Sequence, residues 1–300
     1  AGTGGTAVEN VLPTGEITAD LAEAALSGNG RYLAFRVRSA SAVYIRDLVT
    51  RTTVPVPVSN PAFFEIGGLS PGGRYLFGRQ RPGSPLASVI EWRSNQLVTN
   101  LPVFFGSMSL DERKVLTQVS NPNGLGFWLT LLTLDQSAPP AIISTNGGGF
   151  AMSLDGSTVA YLLRPDAAAP NYNVFLYDVN TSAAVPVQIA GTNVQVGAGD
   201  DLVLSPTGRF LAIVTPHSLL TGVPGDTFNN IFIYDRVLGT LNLASENMNG
   251  VEAEFGSSSP SLSVDGLLAF ESASDDFVSN DRNLASDVFV RRMGGVDSDN

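Results

Sequence analysis

Hydrophobic and polar positions along this chain alternate in short runs rather than in helical stripes. Tyr32-Leu33-Ala34-Phe35, Thr158-Val159-Ala160-Tyr161 and Phe210-Leu211-Ala212-Ile213 are four-residue apolar runs, each entered through a polar turn. Runs rich in β-branched and aromatic residues follow, such as Val43-Tyr44-Ile45-Arg46-Asp47, Val174-Phe175-Leu176-Tyr177-Asp178 and Ile231-Phe232-Ile233-Tyr234-Asp235. This pattern predicts strands. Only residues 19–25 offer a helical turn.

The runs belong to a repeat. Six copies of one ten-residue unit begin at Leu26, Leu69, Met108, Met152, Leu204 and Leu262, spaced 43, 39, 44, 52 and 58 residues apart. The best-formed reads Leu204-Ser205-Pro206-Thr207-Gly208-Arg209-Phe210-Leu211-Ala212-Ile213. Each copy carries a serine, a tight turn and an inner strand. A third strand and a polar outer strand, such as Thr53-Val54-Pro55-Val56, come after. A period near 40 residues with four strands per unit is that of a propeller blade. The expected fold is therefore all-β: a six-bladed β-propeller of four-stranded antiparallel blades in one domain, residues 1–300, with flexible ends at 1–5 and 295–300. The sixth copy ends soon after its third strand. Thr6-Ala7-Val8-Glu9-Asn10-Val11 offers the missing strand and would close the ring, so deleting residues 1–12 should lower the melting temperature sharply.

Turn chemistry accounts for the repeated unit. Asn29-Gly30, Gly72-Gly73, Asp155-Gly156, Thr207-Gly208 and Asp265-Gly266 place a glycine where φ is positive. Asp111-Glu112 breaks that rule and predicts a distorted turn. The aspartates at 111, 155 and 265 read as turn formers rather than ligands.

The Leu-Ser-x-x-Gly-Arg-Tyr-Leu-Ala-Phe strings, with Ser286-Asp287-Val288-Phe289-Val290-Arg291, resemble the WD40-like repeat of TolB-type propellers. The resemblance covers nearly the whole chain and implies a bacterial periplasmic or secreted location. No Ser-Pro-Asp-Gly turn is intact, and the separate α/β domain of TolB has no counterpart, so its lipoprotein partner does not carry over.

Composition narrows the function. The net charge of −11 disfavours nucleic acid and anionic membranes as partners. No apolar run is long enough to span a bilayer as a helix. There is no cysteine, which excludes thiol chemistry, and His217 is the only histidine, which excludes multi-histidine metal sites. No Gly-x-Ser-x-Gly elbow or phosphate-binding loop occurs, and no catalytic residue is assigned.

In a propeller, the residues preceding each repeated turn ring one mouth of the channel. Glu23, Glu65, Asp200 and Asp201 fall there beside Phe104, Phe105 and Phe150, giving an acidic, aromatic mouth suited to a protein, peptide or carbohydrate ligand. The loop from 272 to 287 is rich in oxygen donors, and Asp281, Asn283 and Asp287 are candidate calcium ligands, although an Asx turn also explains Asp287. The reading is a monomeric binding module. The alternatives are a carbohydrate-active hydrolase or lyase using carboxylates on the same face, and a scaffold without a ligand site.

Overall fold

The computed structural model describes residues 8–58, 64–80, 86–102, 104–120, 127–135, 137–166, 169–197, 201–216, 220, 228–264, 266–279 and 285–293. They fall into two compact units, residues 1–120 with 130–142, and residues 121–129 with 143–300.

The first unit opens with the four-stranded sheet β1 (Leu21–Leu26), β2 (Tyr32–Val37), β3 (Ala42–Asp47) and β4 (Thr52–Val56), in sequential antiparallel order. A second such sheet follows: β5 (Phe64–Leu69), β6 (Tyr75–Gln80), β7 (Leu86–Glu91) and β8 (Gln96–Pro102). The third copy places β9 (Phe104–Met108) against β10 (Lys114–Ser120). β11 (Phe127–Thr133) and β12 (Ala141–Met152) carry the chain across the boundary between units.

In the second unit, the end of β12 pairs with β13 (Thr158–Leu163), followed by β14 (Tyr172–Asp178) and β15 (Ala183–Pro186). A small hairpin, β16 (Gln188–Ile189) and β17 (Thr192–Asn193), leads into β18 (Gln195–Val196), which returns to pair with β14. The four-stranded sheet of β19 (Asp201–Leu204), β20 (Phe210–Pro216), β21 (Asn229–Asp235) and β22 (Thr240–Leu243) comes next. The last sheet holds β23 (Ser257–Leu262), β24 (Leu267–Ser272) and β25 (Asp287–Arg292) among the described residues.

β20 is apolar along most of its length because both of its faces are covered. In β20, Leu211 and Ile213 enter one core cluster with Leu162, Val174 and Leu176, while Phe210, Ala212 and Val214 enter another with Ile231, Ile233 and Leu268. Leu211 and Ile213 are fully buried. Each contributes about 1.5–3 kcal/mol by its removal from water. Tyr32, Val43, Ile45 and Leu76 form the corresponding core of the first unit.

The serine is buried in the first five copies and half-buried at Ser263, and its hydroxyl accepts the N–H that starts the inner strand: for example Ser27 from Tyr32 (2.9 Å), Ser109 from Lys114 (3.0 Å) and Ser205 from Phe210 (3.0 Å). The aspartates are turn formers, as their positions predict. Asp111 and Asp155 each accept the serine hydroxyl and the N–H two residues on, Arg113 at 3.1 Å and Ser157 at 2.9 Å. Asp265 lies outside the described residues. The arginine after the turn pairs with the acid that ends the third strand: Arg31–Asp47 at 2.7 Å, Arg74–Glu91 at 2.7 Å and Arg209–Asp235 at 2.8 Å.

One expectation changes. The third turn is not distorted: Glu112 takes φ 59°, close to Gly30 at 68°, and donates its N–H to Ser109 O at 2.9 Å as Gly30 does to Ser27. What holds a glutamate there is its side chain. Its carboxylate reaches the second turn and accepts from the Ser70 hydroxyl, from Gly72 N (2.7 Å) and from Arg74 N (3.4 Å). These are the donors that an Asp or Asn at position 72 would take. The N-terminal segment that would close the ring is described from Val8 on. Glu9 pairs with Arg46 (3.0 Å) and Arg51, Thr53 donates to Val11 O (2.6 Å), and Val11 bridges Ile17. The segment is thereby anchored to the first sheet: Glu9 supplies the carboxylate that Arg46, 7 % exposed, requires. Residues Thr6 and Ala7 lie outside the described set.

Candidate functional site

In the first unit, Glu23 and Glu65 stand near the start of β1 and β5, the first strands of their sheets, each facing an arginine on the neighbouring strand. Arg36 grips Glu23 with two parallel bonds, Nε to Oε2 at 2.8 Å and Nη2 to Oε1 at 2.7 Å. Arg79, the ladder partner of Glu65, donates Nε to Oε2 at 2.7 Å. The two acids are brought together: Glu23 also accepts from Ile66 N at 3.4 Å, and Arg36 feels the charge of Glu65. β1 and β5 are bulged beside these glutamates, between Leu21 and Ala24 and between Ile66 and Gly68. A bulge re-aims side chains at a strand end.

In the first unit, each of these two acids is therefore paired with an arginine. The arginine bond is the main cause that holds the Glu23 carboxyl below its ordinary range. The same bond pushes the Arg36 guanidinium up. Phe104 and Phe105 lie on β9, with backbones opposite Gln118 and Thr117.

In the second unit, Phe150 is half-buried near the end of β12, opposite Tyr161 across the ladder, and Tyr161 stacks on Phe175 with centroids 5.5 Å apart. Asp201 is exposed and opens β19 opposite Val214. No hydrogen bond, ion pair or ring contact joins Phe150 to Asp201. Asp200 lies outside the described residues, as do Asp281, Asn283 and His217. Asp287 opens β25, half-buried, opposite Ser272. Among the described residues, no three His, Cys, Asp or Glu side chains cluster as metal ligands, and no helix is long and apolar enough to cross a membrane.

Sequence reasoning missed Arg36 and Arg79. The signal was available: each is the fifth residue of its second strand, 13 and 14 residues after its glutamate.

The opposite ends of the sheets carry the repeated turns, which lace to one another. Asn29 N donates to Pro71 O (2.9 Å) in the first unit, and Asp155 N to Pro206 O (3.1 Å) in the second. Successive four-stranded antiparallel sheets joined in this way match the propeller domain of the trilobed protease from Pyrococcus furiosus, at TM-score 0.55 and 11% identity, over 90% of this chain and 81% of that one. The chain has a β-propeller fold. A chain from a structural analysis of two prolyl endopeptidases matches at TM-score 0.61 and 13% identity, over 91% of this chain and 41% of that one, so this chain spans under half of its length. Kuenenia stuttgartiensis hydrazine synthase matches at TM-score 0.51 and 17% identity, over 82% of this chain and 72% of that one. TolB from Acinetobacter baumannii is among the matched structures, at TM-score 0.47 and 14% identity, over 74% of this chain and 53% of that one. The TolB-like resemblance of the repeats agrees with this fold. No family model and no curated protein matches the sequence. At these identities the likeness speaks for the propeller alone.

Proposed function

We propose that this propeller is an interaction module that binds a polypeptide partner through the charged strand ends of its first two blades. The carrying observation is the cluster Glu23, Arg36, Glu65 and Arg79, whose side chains are 15 to 34 % exposed. Partly exposed charges of both signs, preorganised in fixed pairs, suit a partner that presents complementary pairs. They do not suit glycoside hydrolysis. That chemistry needs one carboxylic acid kept protonated near neutral pH, and Arg36 pulls Glu23 the other way. Six blades in one domain, one for each repeat copy, and a periplasmic or secreted location belong to the same proposal. They rest on the repeat count and on the TolB-type resemblance.

A peptide array that varies charge pattern at fixed length tests this reading. The wild type should retain peptides carrying both signs of charge, and Glu65→Gln or Arg36→Gln should lose them while unfolding at a similar temperature. Equal retention by all three proteins would refute it. Release of reducing sugar from a polysaccharide, lost in Glu65→Gln, would favour the enzyme instead.

A further inference from the structure

A groove of about 1020 Å³ lies within the second unit, between the β16–β17 hairpin and the outer strand β22. The hairpin is a rigid wall. Val174 donates its N–H to Val194 O (3.1 Å) and accepts from Val187 N (2.8 Å), while Val194 N reaches Val187 O (2.9 Å). Val187, Val194 and Val196 are 1, 5 and 0 % exposed, seated in the core that contains Leu211 and Ile213. Three buried valines thus hold up a hairpin that contributes Gln188, Asn193 and Gln195 to the groove lining. The Gln188 amide donates to Asn193 Oδ1 at 2.8 Å and the Gln195 amide to Asn173 Oδ1 at 3.2 Å, so each keeps further donor and acceptor capacity for a ligand. Leu241 and Leu243 line the facing side, and Ile189 joins them from the hairpin.

β22 is the last strand of its sheet. Ala244 N bonds inward to Ile231 O at 2.7 Å. Antiparallel pairing alternates, so the main-chain groups of Leu243 and Leu241 point away from β21, towards the free edge. A strand edge beside a walled groove is the geometry of β-strand addition, in which backbone bonds supply affinity and alternate side chains enter a pocket.

We propose that this groove is a second binding site, taking an extended, uncharged polypeptide segment that adds to β22. None of the described lining residues is charged, on a protein of net charge −11. A charged side chain entering here would be stripped of water without a partner. A saccharide is the poorer fit, because it stacks on exposed aromatic faces and the aromatic of the described lining, Phe232, is 4 % exposed. Side-chain amides, by contrast, bond peptide groups as both donor and acceptor. The site is independent of the charged strand ends.

The test uses the full chain with labelled Ile and Leu methyl groups. One probe is a blocked hexapeptide alternating threonine and valine; the other is the same peptide with lysine replacing a valine. The neutral peptide should shift the Ile189, Leu241 and Leu243 methyls with a Kd below about 1 mM, and the lysine peptide should bind about tenfold more weakly. Gln195→Glu and, separately, Thr192→Asp place a carboxylate at an exposed position of the wall, and should reverse that preference. Glu23→Gln should leave binding unchanged, which separates this site from the one above. Absence of saturation by the neutral peptide, shifts confined to other methyls, loss of binding in Glu23→Gln, or maltohexaose binding in place of the peptide would each overturn the proposal.

Discussion

Glu112 occupies a position that glycine fills in the five other copies of the repeat, and its carboxylate completes the turn of its neighbour. This arrangement makes a quantitative prediction. A non-glycine residue in the left-handed region costs roughly 1 kcal/mol. Glu112 is kept there at φ 59° by the hydroxyl and two N–H donors that its carboxylate accepts from the second turn. Hydrogen bonds to a charged group contribute about 1.5–3 kcal/mol. Glu112→Gly relieves the backbone but forfeits those bonds and adds about 0.5–1 kcal/mol of unfolded-chain entropy. The net expectation is a loss of about 1–3 kcal/mol.

Gly72→Asp alone should also destabilise. A Cβ at position 72 would come within 2.9 Å of Glu112 Oε1, and the new carboxylate would compete for the same donors. Combined, the two changes should rescue each other. Gly72 does not have positive φ, so Asp fits its backbone and can bond Ser70 and Arg74 N as Asp111 bonds Ser109 and Arg113 N. The double variant should lie within about 1 kcal/mol of wild type, a coupling of several kcal/mol where independent sites add within roughly 0.5. Urea unfolding at constant m-value measures the cycle. Additive losses, or a Glu112→Gly variant as stable as wild type, would refute the argument.

Asp47 is held at about 2 by its bond to Arg31 and by the Thr50 and Val49 N–H groups, below its ordinary 3.8. A depressed folded value means that the stabilisation is present above pH about 4 and is lost as the pH falls towards 2. Asp47→Asn should flatten that part of the acid-unfolding curve, and an unchanged curve would count against the pairing. Deleting residues 1–12 removes Glu9 and leaves the Arg46 guanidinium buried with only Arg51 O and Thr53. The melting temperature should fall by at least a few degrees, and Arg46→Met should recover part of the loss in the deleted chain, because no charge is then buried unpaired. If Asp281, Asn283 and Asp287 hold calcium, chelator should lower the melting temperature and added calcium restore it. Equal melts in both buffers would remove that site.

The repeat was legible because each of its residues has a local task. Ser27 and its sister serines accept the N–H that starts an inner strand, and Gly30, Gly73, Gly156, Gly208 and Gly266 take a conformation that other residues resist. Short-range requirements of this kind leave a mark at a fixed offset. Glu112 hid its role because its partner, Gly72, lies forty residues away and is defined by a missing side chain. Arg36 and Arg79 were overlooked for a related reason. An ion pair across two strands depends on register and on a bulge, and a search for acids alone finds only one half of it. Asp47 shows the converse: its arginine recurs at the same turn position in sister copies, so the pairing could have been read from the repeat itself.

The same contrast separates the two ends of each blade. At the repeated turns, polar groups are used up by one another: Asn29 on Pro71, Glu112 on Gly72, Arg236 on Thr158 at 2.7 Å and on Gly208 O at 3.0 Å. A partner docking there would have to displace bonds that hold successive sheets together. The strand ends at Glu23 and Glu65 are joined by the longer bond from Ile66 N to Glu23 at 3.4 Å, and their charges are paired within single sheets while staying partly open to solvent. Substitution at a turn should therefore register mainly as lost stability, whereas substitution at Glu65 should register as lost binding with the fold retained. The repeated residues build the blade, and the residues that differ from copy to copy are the ones free to recognise a partner.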